Sequence, residues 1–265
     1  MNRNSMLILV AAFTAFTIPA YARPEKKMTV EQVDAAIEAA KKNPKTSPEF
    51  RELLSLPYVK GPAEVPITEN AHITLGNDKQ FLDSASSKRF LELNGNLSDG
   101  PDEYIVMPRD ETWWSSYSYN DMGHVKDGDK LDAEALLAKI KEGQEAANLE
   151  RQKRGLSALT VQGWQVPPHY DANTKQLEWG LDLKDEKTGE RFVNYTTRVL
   201  GREGLMAATL IARPEKFGTS LVEFRASMSG FRYNPDRSYQ SFRQGDRVAE
   251  YVIAACAYGL HPHRD

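Results

Sequence analysis

The sequence predicts an α+β protein in which an antiparallel β-sheet is packed by helices and preceded by a helical N-terminal arm. Apolar residues recur at helical spacing near the N-terminus, whereas they alternate with polar residues in the middle of the chain. The strand patterns in the middle follow one another through short connectors, and short connectors join strands antiparallel. Helical patterns stand on both sides of these strands, which favours this class over a parallel α/β sheet.

Residues 1–22 have the pattern of a secretory signal peptide. Arg3 supplies a positive charge, residues 6–18 are uncharged and mostly apolar, and residues 20–22 read Ala-Tyr-Ala, a small-x-small cleavage pattern. The apolar segment is shorter than the roughly twenty residues that a membrane-spanning helix needs. We therefore expect cleavage after Ala22 and a mature protein that is periplasmic or secreted. An uncleaved N-terminal tether is the alternative.

Residues 23–60 are expected to form a helical arm and a linker. Apolar spacing predicts a helix over 29–42 with a capping box at its start. A shorter helix is predicted over 48–54, because Ser47 suits its N-cap and is followed by a proline in the first turn. The proline-rich segment 56–66 predicts an extended linker to the main domain.

Residues 61–258 are expected to form the α+β main domain. Its predicted strands are 71–75, 104–107, 112–119, 158–164, 176–183, 192–200 and 205–212. Its predicted helices are one that includes Phe81 and Leu82 and ends at Asn94-Gly95, one over 132–154, one over 214–228 and one over 246–258. Segments 167–171 and 185–189 are expected to connect strands, and 259–265 to form a polar tail. In the long helix, Leu149 is expected to face the core.

Composition and charge exclude several classes of function. The formal net charge is −3 and basic residues are interspersed with acids, so the chain is not expected to bind nucleic acid. Cys256 is the only cysteine, which excludes an internal disulfide and a Cys-x-x-Cys metal site. No spacing typical of a catalytic, cofactor-binding or metal site is present, so no residue is assigned to one. Enzymatic activity is left open, with a non-enzymatic role favoured.

A resemblance to a known family begins in the aromatic and proline-rich middle of the chain. The residues that carry it, in order and spacing, are Gly163, Trp164, Pro167, Pro168, Tyr170, Asp171, Leu177, Trp179, Asn194, Tyr195, Arg198, Leu200, Gly201, Arg202 and Gly204. In these the chain resembles domain of unknown function family 2167, bacterial uncharacterised membrane-anchored proteins, over roughly residues 61–251. The resemblance implies no activity and no cofactor. Relatives typically carry a hydrophobic membrane segment after the last helix. Here 248–260 is too short to span, so no transmembrane span is expected in the mature chain.

A candidate functional surface is drawn from this motif. Its residues are Trp164, Tyr170, Asp171, Trp179, Asn194, Tyr195, Arg198 and Arg202. The two arginines raise a choice, since two guanidinium groups can bind a carboxylate or phosphate, or can form ion pairs within the protein. The sequence favours ion pairing with Glu178 or Asp182 on the neighbouring strand.

Three functions are compatible with the sequence. The first is a non-enzymatic binding or structural module of the cell envelope, whose partner is an envelope protein or another envelope component. The second is a hydrolase or transferase with an unfamiliar site, built on Cys256 with a histidine or on the Arg198 and Arg202 pair. The third is a periplasmic small-ligand carrier, with a pocket lined by Trp113, Trp114, Tyr117 and Tyr119.

Overall fold

The computed structural model describes residues 28–98, 100–126 and 132–249, and within them the α+β class is confirmed. The helices are α1 (Val30–Lys42), α2 (Pro48–Leu54), α3 (Ser84–Leu93), α4 (Ala133–Lys153) and α5 (Phe217–Met228). The strands are β1 (Val59–Lys60), β2 (Ala63–Ile67), β3 (Ala71–Leu75), β4 (Lys79–Leu82), β5 (Tyr104–Pro108), β6 (Trp114–Asn120), β7 (Leu159–Asp171), β8 (Gln176–Asp185), β9 (Arg191–Leu200), β10 (Leu205–Ala212) and β11 (Phe231–Tyr233). The signal peptide predicted over 1–22, Cys256 and the tail 259–265 lie outside the described residues.

The strands form one large sheet and one small sheet. The large sheet has eight strands in the order β1-β4-β5-β6-β10-β9-β8-β7, and the small sheet has the order β11-β3-β2. Every neighbouring pair in both sheets is antiparallel, as the short connectors predict. The strand β7 therefore lies at one edge of the large sheet.

The two N-terminal helices begin where the sequence predicts. The Thr29 hydroxyl accepts the N–H of Gln32, and the Gln32 side chain accepts the N–H of Thr29, so the predicted capping box is confirmed. The Ser47 hydroxyl accepts the N–H of Phe50 at 3.2 Å. The buried Leu53 on α2 joins an apolar cluster of the main domain, which holds α2 against the large sheet.

The linker predicted over 56–66 is wrong in part, because this segment contains β1 and most of β2. In β2, Val65 and Ile67 alternate into the core while Pro66 points away from it. A proline is tolerated there because β2 is an edge strand of the small sheet. Phe81 and Leu82 are also misassigned: they belong to the fully buried strand β4, and α3 begins after its N-cap Asp83.

Three further predictions need correction. Segment 167–171 is not a connector but the end of β7, which shifts its register against β8 at several points and so accommodates Pro167 and Pro168 at the sheet edge. Leu149 is 63% exposed, because the neighbouring Asn148 turns the opposite side of α4 toward β7. The helix predicted over 246–258 does not begin at Asp246, since 246–249 is non-helical and the rest lies outside the described residues.

The core is divided between the two faces of the large sheet. On one face, α5 and the small sheet cover a cluster that includes Trp113, Tyr117 and Tyr195. On the other face, one cluster lies under α2 and α3, and a second lies near the start of α4. The alternation predicted over 112–119 is confirmed, but it separates Trp114 from Trp113 and Tyr117, so these rings do not line one side of the sheet.

Candidate ligand-binding cleft

The face of the large sheet that carries Trp114, Ser116 and Asn194, here called the cleft face, is only partly covered. The α3 cluster covers β4, β5 and the start of β6, and the α4 cluster covers parts of β8, β9 and β10. Between the two clusters, no third apolar cluster is present in the described part of the chain. The middle of the cleft face is therefore left without an apolar cover.

Helix α4 is held mainly at its two ends. Near its start, Leu136 is 2% exposed and packs with Leu177 and Leu205. Near its end, Arg151 is 7% exposed and donates its Nε–H to the carbonyl of Ser157 at 2.5 Å. Its intervening residues are half-buried or exposed, so the middle of α4 stands above the sheet without packing closely on it.

A side-chain amide fixes α4 to the edge strand. Asn148 donates to the carbonyl of Leu159 at 2.8 Å and accepts the N–H of Leu159 at 2.9 Å, as a neighbouring strand would. Gln144, one turn earlier, donates to the Asn148 carbonyl oxygen at 3.1 Å. These bonds set the height of α4 above the sheet.

The space left under α4 is a cleft of about 820 Å³. Its volume falls within the roughly 300–1,000 Å³ of pockets that take small molecules. The residues that line it on the sheet are Trp114, Ser116, Phe192, Asn194, Thr209, Ile211 and Ala212, and Trp113, just before β6, also borders it although its ring packs in the cluster of the opposite face. The helices α3 and α4 contribute Leu91, Asn94, Gln144, Ala147 and Arg151.

Polar groups form part of the cleft floor. Ser116 lies opposite Thr209 in the sheet register, and the Thr209 and Thr196 hydroxyls are 3.1 Å apart. Asn194 lies opposite Ile211, and its Oδ1 is buried without a hydrogen-bond partner. Since buried polar atoms in folded proteins are nearly always paired, a donor that reaches this oxygen when the amide turns toward the cleft would be stabilised.

Several of the charged groups around the cleft are engaged within the protein. The Asp185 carboxylate accepts the Ser157 hydroxyl at 2.7 Å and two backbone N–H groups. Burial opposes ionisation there, but these hydrogen bonds outweigh it and hold the pKa of Asp185 below its ordinary value. Arg191 forms an ion pair with Asp182. Burial raises the pKa of Glu103, against a hydrogen bond from Ser116 that lowers it.

A second hollow, of about 700 Å³, lies beside α5 on the other side of the sheet. Its buried Lys79 ammonium pairs with Asp78 at 2.6 Å and lies over the Trp113 ring. The Glu223 carboxylate accepts the Trp113 indole N–H at 2.9 Å. These polar groups have partners within the protein, so this hollow makes a weaker case for a ligand site.

The eight residues of the surface predicted from the family motif lie in several places. Trp164, Trp179, Asn194 and Arg198 share the cleft face, with the Arg198 guanidinium 5.1 Å from the Trp179 ring centre. Only Asn194 of the eight lines the cleft. Tyr195 points to the opposite face, where its hydroxyl accepts from Arg225 at 2.8 Å.

Tyr170 and Asp171 lie at the end of β7. The Asp171 carboxylate accepts the N–H of Asn173 at 2.8 Å, which closes the turn into β8. Tyr170 packs against the apolar cluster that includes Leu177 and Trp179. Both residues therefore have a structural role in the β7-β8 hairpin.

Arg202 does not pair with Glu178 or Asp182, so that prediction is wrong for this arginine. Its Nε and Nη2 donate to the two oxygens of Asp246 at 2.7 and 2.6 Å. Glu178 pairs with Arg225 instead. The Arg202 guanidinium is thus engaged by a carboxylate of the chain itself, which weakens the alternative of an anion clamp.

The cleft residues on β10, α3 and α4 were not singled out by sequence. Thr209, Gln144 and Ala147 belong to elements far apart in the chain, and only the tertiary fold brings them together. One signal was available: the middle of the long helix, around Gly143 to Ala147, is poor in large apolar residues, as expected of a helix that does not pack closely.

Two further kinds of site are absent from the described residues. In residues 28–98, 100–126 and 132–249, histidine, cysteine and acidic side chains do not gather in groups of three or more that could hold a metal ion. Over the same residues, no helix combines the length and the apolar character needed to cross a membrane.

The large antiparallel sheet with helices on both faces places the molecule in the α+β class. Residues 59–261 match the family model described as protein of unknown function (DUF2167), and the chain belongs to this family. No curated protein matches the chain. Among solved structures, the solution structure of cyanobacterial PsbP (CyanoP) from Synechocystis sp. PCC 6803 is similar at 10% identity and a TM-score of 0.38, covering 65% of this chain and 92% of that one.

Proposed function

We propose that this protein is an exported binding module of the cell envelope, and that it holds a small ligand in the cleft between the large sheet, α3 and α4. The observation that carries the proposal is a cleft of about 820 Å³ that mixes apolar and polar side chains and whose floor holds Asn194, a residue with a buried, unpartnered acceptor. A ligand donor that meets this oxygen when the amide turns toward the cleft removes the cost of leaving it unpaired.

The cleft also supports a specific choice among the functions that the sequence allows. A structural module needs no cavity, whereas a binding module or carrier needs one with a few directed polar groups. The apolar lining from Trp114, Phe192 and Ile211 stands beside the polar groups of Ser116 and Asn194. This mixture is typical of a small-molecule site.

Export is proposed from the sequence of residues 1–22. The test is expression of the full chain in a Gram-negative host, followed by fractionation and N-terminal sequencing of the recovered protein. We expect periplasmic material that begins at Arg23. A full-length chain in the cytosol, with its first methionine or only that residue removed, would overturn the envelope assignment.

The cleft is tested by an NMR fragment screen on the purified, isotope-labelled chain. We expect the fragments that bind to shift the signals of the Trp114 indole and the Asn194 side-chain amide, because both groups line the cleft. Hits confined to the hollow beside α5, or no hits at all, would contradict the proposed function.

A further inference from the structure

We infer that the ligand of the cleft is an uncharged saccharide, an inference that rests on the proposed function. The cleft combines aromatic side chains, several side-chain amides and hydroxyls, and charged groups of which Asp185 and Arg191 already have partners in the protein. A sugar ring offers the matching set: an apolar C–H face, and hydroxyl groups that both donate and accept hydrogen bonds.

The amides of the cleft already use some of their N–H groups within the protein. Asn94 donates its side-chain N–H to the carbonyl of Phe90 at 2.8 Å, and Gln144 donates to Asn148 at 3.1 Å. Asn194 Oδ1 is buried and has no donor. Amides and hydroxyls both donate and accept, so the cleft suits a ligand whose groups also do both.

The aromatic lining supplies a flat apolar surface beside these acceptors. Trp114 is half-buried, and its ring is held edge-on against Phe90 at a centroid distance of 5.3 Å. Phe192 and Ile211 on the neighbouring strands are also half-buried. An aromatic face packs well against the apolar C–H groups of a sugar ring.

Charge argues against an ionic ligand. Asp185 is bonded to Ser157 and to backbone N–H groups, and Arg191 to Asp182. Arg151 donates to a backbone carbonyl. An ionic ligand that relied on Asp185 or Arg191 would have to compete with these bonds, and burying an unpaired charge is costly.

An alkyl chain fits the aromatic surface but not the floor. A fatty acid in the cleft would cover Asn194 Oδ1 without supplying a donor, so the buried acceptor would stay unpaired. Its carboxylate would also lie near the engaged acids Asp185 and Glu103. The chemistry therefore separates a sugar from a lipid by hydrogen bonding and from an acidic ligand by charge.

The test is an NMR titration of the full chain with five probes. Three are neutral trisaccharides, namely triacetylchitotriose, maltotriose and cellotriose; the others are laurate and trigalacturonate. We expect at least one neutral trisaccharide to shift the Trp114 indole and Asn194 amide signals, with neither laurate nor trigalacturonate doing so. We expect Asn194→Leu to weaken that binding at least about tenfold, the loss of one buried hydrogen bond.

Variants on strand β6 keep the test independent of the stability of Asn194→Leu. Ser116 lines the cleft, whereas Ser118 lies on the same face outside its lining. Ser116→Ala is expected to weaken the trisaccharide several-fold, and Ser118→Ala to leave it unchanged. Equal effects of the two variants would overturn the inference.

The outcomes distinguish the inference from the proposed function. If laurate or trigalacturonate shifts the cleft signals while all three neutral trisaccharides fail, the cleft is a ligand site but the saccharide inference is wrong. If no probe, and no fragment in the wider screen, shifts the cleft signals, the proposed function itself fails.

Discussion

At the scale of single residues, ion pairs with different exposure hold the end of the described chain to the large sheet. The Arg202 and Asp246 side chains are 15% and 10% exposed, whereas Arg243 and Asp236 are 61% and 69% exposed. Exposed pairs contribute little to stability, but a shielded arginine that loses its carboxylate is left with an unpaired charge. The first pair is therefore the one whose loss destabilises the protein.

We predict that Asp246→Asn lowers the melting temperature clearly at pH 7, because asparagine cannot neutralise Arg202. The hydrogen bonds from Arg202 lower the pKa of Asp246 to about 2. The ion pair of Asp246 with Arg202 therefore stabilises the folded protein fully above the ordinary aspartate pKa, and this stabilisation is lost as the pH falls through about 2. The difference in melting temperature between the parent and Asp246→Asn, measured by thermal melts, should become smaller toward pH 2. Asp236→Asn is the control and should shift the melting temperature by no more than about a degree.

Glu111 has the opposite pH dependence. It has a φ of 54° in the loop between β5 and β6. Burial, together with the charge of Asp110, raises the pKa of Glu111 to about 7. Between the ordinary glutamate pKa and about 7, the folded state keeps a proton that the unfolded state releases. Stability therefore falls as the pH rises through this window.

We predict that Glu111→Gln stabilises the protein at pH 8, by on the order of 2–3 kcal/mol, because it removes the cost of ionising a buried carboxyl. Below pH 4 the difference from the parent should disappear, since both side chains are then neutral. Urea unfolding of the parent and the variant at pH 8 and below pH 4 measures this difference in the free energy of unfolding. Glu49→Gln, on the exposed side of α2, is the matched control; a Glu111→Gln effect that does not depend on pH would contradict the explanation.

At the scale of elements, the long strands and helices could be predicted from sequence, but the short edge strands could not. Residues 205–212 and 48–54 were predicted with the bounds that the structure has. The strands β1 and β11 were missed because two or three residues carry too little periodicity to be recognised, whereas β2 was assigned to a linker because of its proline; β3, of five residues, was predicted with its bounds. Pro167 and Pro168 led to the wrong prediction that 167–171 is a connector. Proline is excluded from central strands but tolerated at an edge, and β7 is an edge strand.

The hairpin between β9 and β10 depends on a glycine. A Cβ at Gly204 would overlap the carbonyl oxygen of Asn120 on β6, and backbone atoms cannot move aside as a flexible side chain can. We predict that Gly204→Ala costs more than about 3 kcal/mol in urea unfolding, through displacement of β6 from β10. Gly163→Ala is the control, because no heavy atom lies within 4 Å of the Cβ it would add. Similar costs for the two variants would contradict this account of Gly204.

At the scale of the whole molecule, the cleft results from how α4 is held. Leu136 and Arg151 secure its ends, Asn148 bonds it to β7, and the residues between leave a space above the sheet. Of the surface predicted from the family motif, only Asn194 lines this space. The rest of the lining includes residues of β6, β9, β10, α3 and α4, and no local pattern in the sequence records which distant elements meet.

The most direct test of the cleft as a ligand site uses two adjacent alanines of α4. Ala147 lines the cleft and is half-buried, whereas Ala146 is exposed, so a tryptophan at either position has a similar effect on the helix but only one obstructs the cleft. A fragment or neutral trisaccharide that shifts the cleft signals of the parent is titrated into both variants and followed by NMR, after thermal melts show that both are folded. We predict that Ala146→Trp binds as the parent does and that Ala147→Trp binds at least about tenfold more weakly. Equal binding by the two variants would contradict the assignment of the cleft as the ligand site.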